Sequence, residues 1–152
     1  MNDVELTRAL ERAELPNQNF RHASHLHVGW VYLQESNSAD EAAQKMAATL
    51  RRFAAAVGHP EKYHETLTHF WMCLLARHRD SAPGRELSDI VRENPRLLEK
   101  DLPLQYYSRD RIFSAQARNS WVEPDLKPIT EDAAPLGPSS STCNPSHRVV
   151  SG

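Results

Sequence analysis

The chain has 152 residues, a formal net charge of −2, 39% hydrophobic and 25% charged residues. That length suits one domain with one core, and the near-neutral balance excludes a generally basic nucleic-acid binder or a binder of anionic membrane surfaces. No run of about 18 apolar residues occurs, so no membrane span is expected. Met1 to Glu5 is acidic with no apolar leader, and the expected compartment is the cytoplasm.

In chain order, Asp3 to Ala13 reads as a short helix stopped by Pro16. A first long helix is expected from Arg21 to Glu35, with Asn19 as its cap. At 100° per residue its His22, His25, Leu26, Gly29 and Leu33 share one face. His27 points the other way, toward solvent or a partner. The second long helix opens on a capping box, Ser38 followed three residues later by Glu41. It carries the stripe Ala43, Met46, Ala47, Leu50, Phe53, Ala54 and Val57, and ends at Gly58. The alanine-rich stripe permits close packing, within the chain or across a homodimer. The third long helix is expected to start near Pro60 and to run to about Arg79, with Tyr63, His64, Leu67, Phe70, Trp71, Leu74, Leu75 and His78 on its stripe.

Beyond Gly84, helical turns are expected at 86–93, 95–100, 109–112 and 115–121, the last two capped by Ser108 and Ser114. No segment alternates like a strand. The expected fold is all-α, a small bundle of three main helices plus short C-terminal helices, in one domain over residues 1–126. Residues 127–152 hold four of the ten prolines and few large apolar side chains, which reads as a disordered tail. Cys73 and Cys143 are spaced for neither zinc nor redox work, and both are expected to be free thiols.

Seven of the eight histidines lie between His22 and His78. His22, His25 and His64 fall on apolar stripes, where an unpartnered polar ring is costly. Short connections favour antiparallel neighbours, so the three long helices should run up, down, up and bring those rings to one end. His22 and His25 rise only about 4.5 Å apart along their helix and could share one ion, with His64 arriving from a facing helix. Three imidazoles leave open positions on a transition metal: zinc would make hydroxide from bound water, and iron, copper or manganese would support oxygen chemistry. Glu65 is placed as a fourth ligand, a partner holding an imidazole N–H, or a general base. Tyr63 and Thr68 flank the same turn and could orient water or substrate. Arg109 and Arg111, beside helix N-termini, could hold an anionic substrate group. His78 is too far along its helix to join the set. His64, Glu65 and His69 are not a zinc signature of the HExxH type, because the second histidine falls one residue late.

The segments FRHASHL (20–26) and YHETLT (63–68), followed by YYSRDRIFSAQAR (106–118) and WVEPDL (121–126), resemble a family of small uncharacterised bacterial proteins sharing FxHxxHL and YHETxT motifs. The resemblance singles out His22, His25, His64, Glu65, Thr66 and Thr68 and implies no reaction. Three readings stay open: a metal-dependent enzyme with oxidative or hydrolytic action on a small molecule, a metal-free module binding a small anionic ligand, and a structural protein whose histidines are core hydrogen-bonders.

Overall fold

The computed structural model describes residues 2–129, the side chain of residue 17 excepted, and among them the chain is helical without strands. α1 (Asp3–Glu11) is capped by Asn2, whose side chain accepts the Glu5 N–H at 2.8 Å. It is tied to its neighbours by a polar cluster. The Tyr32 hydroxyl donates to Glu11 at 2.6 Å and lies 2.6 Å from the Thr49 hydroxyl, while Arg8 bridges Glu11 and Glu35. His27, expected to face solvent or a partner, meets Asp3 of α1 at 2.9 Å.

α2 (His22–Glu35) buries Leu26, Val28, Gly29, Trp30, Val31, Tyr32 and Leu33, more than one stripe, because α1, α3 and α4 all pack on it. It meets α4 closely at Gly29, where an added Cβ would stand 2.9 Å from Met72 Sδ and 3.2 Å from Leu75 Cδ1. The cap is Arg21 rather than Asn19, with the Arg21 N–H donating to Ser24 Oγ at 3.3 Å. α3 (Ala39–Ala56) begins as expected, Ser38 accepting the Glu41 N–H at 3.0 Å, and leaves the helix through Gly58 at φ +85°, a left-handed value natural to glycine.

The third long helix corrects the sequence reading at its start. Residues 60–62 form a single 3₁₀ turn, Tyr63 is extended, and α4 runs Glu65–Ser81 with His64 as its N-cap. Histidine is not among the favoured caps, so the local signal pointed to Pro60. α4 packs on α2, α3 and the later short helix α7, and is buried on several faces. His69 and His78 are buried with it. Cys73 is buried too; the free-thiol expectation for the two cysteines involves Cys143, which with His147 lies outside the described residues.

Among the described residues there follow α5 (Leu87–Glu93), two 3₁₀ turns (Pro95–Leu98 and Leu102–Gln105), α6 (Arg109–Ile112) and α7 (Ala115–Asn119). Ser108 and Ser114 cap α6 and α7 through the Arg111 and Ala117 N–H groups, as expected. Phe70 of α4 meets Tyr106 and Tyr107 edge-to-face at 5.0 and 6.2 Å between ring centres. Packing continues past residue 126: Lys127 Nζ sits 4.9 Å from the centre of the Tyr106 ring and Ile129 is buried. The tail expectation for residues 130–152 falls outside the described residues. No described helix is long and apolar enough to cross a membrane.

Candidate functional site

His22, His25 and His64 line one cavity of about 510 Å³. Its walls come from Phe20, the start of α2, the second half of α3 (Met46, Leu50, Phe53, Ala54), the first half of α4 (Leu67, Thr68, Trp71, Met72, Leu75), and the C-terminal residues Pro103, Leu104 and Ile112. Exposed His59, Lys62, Lys100, Asp101 and Phe113 also line it and form its rim. The lining is therefore apolar below and charged at the edge, with more than one cation.

The tautomer of each ring follows from partners that can only donate or only accept. His64 Nδ1 accepts the Leu67 backbone N–H at 3.1 Å, so that nitrogen carries no proton. His64 Nε2–H then donates to the Ile112 carbonyl at 2.7 Å. Both nitrogens are spent. His22 Nε2–H donates to the Leu97 carbonyl at 2.9 Å, leaving Nδ1. His25 Nδ1–H donates to the Arg21 carbonyl one turn back at 3.1 Å, leaving Nε2. The Phe20 ring lies 4.0 Å from His25 and the Trp71 ring 4.4 Å from His22, centre to centre.

All three rings are held neutral. Burial lowers the His25 pKa to about 4, with nearby His22 adding to the effect against the Arg21 hydrogen bond. Burial likewise lowers His22, assisted by Lys100, and His64, assisted by Arg118. Among the described residues no group of three or more His, Cys, Asp or Glu side chains stands in a geometry that could hold a metal ion. With the His64 lone pair already taken by the helix cap, the set does not fit a bare ion as it stands.

Glu65 does not line the cavity. Its Oε1 accepts from the Tyr63 hydroxyl and from Arg51 Nη2, and its Oε2 lies 3.1 Å from His69 Nε2. These partners, His69 foremost, hold its carboxyl down at about 2, where a carboxylate is a weak base. Tyr63, which does line the cavity, has its own pKa raised by burial and by Glu65. Thr68 lines the cavity too, but its hydroxyl donates to the His64 carbonyl at 2.8 Å. Arg109 and Arg111 stand apart. Arg109 lies over the Phe113 ring, and Arg111 Nε donates to the Glu123 carbonyl. The cations at the cavity are instead Lys62 and Lys100, which no motif marked.

The YHETLT segment has a structural task as well. Its side chains fasten the C-terminal segment to α4: His64 to Ile112, and Thr66 to Ser120 (2.8 Å, donating) and to the Val122 N–H (3.2 Å, accepting). Arg118 returns the grip on the Glu61 and Tyr63 carbonyls, and Tyr107 donates to the Val122 carbonyl at 2.8 Å. Thr66 is fully buried. Thr66→Val keeps the shape and deletes both bonds, so it is expected to cost about 2 kcal/mol, read as a lower urea midpoint at unchanged slope.

Comparison of the chain with protein-family models, with curated proteins and with solved structures found no match to any of them.

Proposed function

We propose that this chain binds a small amphipathic molecule, an apolar body with an anionic end, in the cavity between α2, α3 and α4. The observation that carries the reading is the cavity itself: about 510 Å³, apolar inside, with Lys62 and Lys100 at its rim. Ligand sites fall in this size range and are mostly apolar, with a few polar groups fixing orientation. Neutral rings at His22, His25 and His64 suit an apolar ligand body, because burying charged imidazoles beside it would be costly.

A bare transition metal on the three histidines, with Glu65 assisting a hydrolytic or oxidative step, is the competing reading. It requires His64 to surrender either its cap or its bond to Ile112. Its measure is elemental analysis of protein purified without a nickel column.

Two fluorescence titrations test the proposal, one with 8-anilinonaphthalene-1-sulfonate and one in which dodecanoate displaces it. Saturable binding near one per chain is expected, with a dissociation constant in the range of about 1–100 μM. Reversing both exposed rim cations, Lys62→Glu with Lys100→Glu, is expected to weaken dodecanoate about tenfold at low salt, each screened contact being worth up to ~1 kcal/mol. No saturable binding of either probe, together with about one metal ion per chain, would give the site to the metal.

A further inference from the structure

The three rings of the cavity are not equivalent. His64 has no free nitrogen, and His22, bonded to the Leu97 carbonyl through Nε2, leaves only Nδ1, the nitrogen crowded by its own Cβ, whereas His25 leaves the outer Nε2. His25 is fixed by its own helix: its Nδ1–H is pinned to the Arg21 carbonyl, and among the described residues its Nε2 has no hydrogen-bond partner. An imidazole with one N–H anchored on a carbonyl and the other nitrogen bare is the arrangement of a metal ligand, tautomer and ring orientation already set. A bare ion wants three or four protein donors, and this site does not offer them. A metal that brings its own equatorial donors wants only one or two. Haem-type iron is held in this way by a single histidine, within a surround whose polarity and access the protein sets.

We propose that the cavity takes a porphyrin-class metal macrocycle, with His25 Nε2 as the axial ligand to its metal. The inference rests on the amphipathic-ligand reading and narrows it. The apolar, aromatic walls at Phe20, Phe53 and Trp71 suit a flat conjugated body. The rim lysines Lys62 and Lys100 suit its peripheral carboxylates.

The test is titration of the full chain with ferric protoporphyrin IX, followed in the Soret band, in parallel with metal-free protoporphyrin IX. One-to-one binding is expected, with a sharpened and shifted Soret band that the metal-free ring does not match in affinity. His25→Ala is expected to weaken ferric binding at least about tenfold and to abolish the shift. In His25→Gly, added imidazole is expected to restore it. His27→Ala, outside the cavity, should leave binding unchanged. Equal affinity for the two macrocycles, a spectrum that survives His25→Ala, or no stoichiometric binding overturns the proposal, and the first of these needs no variant to fold. Dodecanoate bound while both macrocycles are refused overturns it as well and leaves the broader reading standing.

Discussion

His64→Ala is expected to lower stability by about 3 kcal/mol. Two losses add. The helix cap goes: the Leu67 N–H at the head of α4 loses its acceptor, which costs about 1 kcal/mol. The Ile112 carbonyl, held at 2.7 Å in a buried bond, loses its donor, and an unsatisfied buried acceptor costs a further ~1–3 kcal/mol. For a domain of this length the sum should lower Tm by roughly 10 °C. His64→Asn separates the parts, since its shorter side chain can still accept the Leu67 N–H but leaves the Ile112 bond unmade. It should recover about 1 kcal/mol. If His64 were instead held chiefly as a metal ligand, stability would fall on chelation of the wild type as strongly as on His64→Ala. The hydrogen-bond account expects a chelator to leave the wild-type midpoint where it was.

What this residue does was half visible in the chain. The polar ring on an apolar stripe marked His64 as needing a partner, and helix count with short connections was enough to bring it to the same cavity as His22 and His25. The partner was not visible, because it is a carbonyl 48 residues away, and no periodicity encodes a long-range bond to backbone. The helix start was missed for a related reason. Proline at 60 is a strong local signal and opens a real turn, but one of only three residues. The true cap depends on the His64 ring folding back onto Leu67. Ser38, Ser108 and Ser114, by contrast, cap through the short side chains that favour it, and the sequence located all three. Glu65 was marked as chemically active because it adjoins His64. The tertiary structure gives its oxygens to Tyr63, Arg51 and His69 instead. The rim lysines carried no motif, and only the fold sets them beside the cavity.

Stability is expected to fall steeply between about pH 6.5 and 4, and the sign follows from the three cavity histidines. In the unfolded chain each titrates near its ordinary value of 6.5, while in the native state all three are lowered, His25 to about 4. Well above pH 6.5 both states are unprotonated at these sites, and the full stability is present. As the pH drops below 6.5 the unfolded chain takes up protons that the native state refuses, and the balance tips toward unfolding. For His25 the loss approaches ~3 kcal/mol as an upper bound once pH 4 is reached, reduced by whatever solvent reaches the half-buried ring. His22 and His64 add to it in the same direction. Below 4.5 a second loss begins, because Glu65, held at about 2 by His69, Tyr63 and Arg51, must be protonated. Urea midpoints at pH 7.5, 6.5, 5.5 and 4.5 measure the first window. His25→Phe, which fills the site with a ring that does not titrate, should flatten the curve between 5.5 and 4.5 more than at any higher pH. A profile as steep in that variant as in the wild type would remove His25 from the account. A ligand bound only to the native state shifts every midpoint upward by mass action. One that uses His25 Nε2 should do so with a stabilisation that declines as the pH approaches 4, because a proton then competes for the same lone pair.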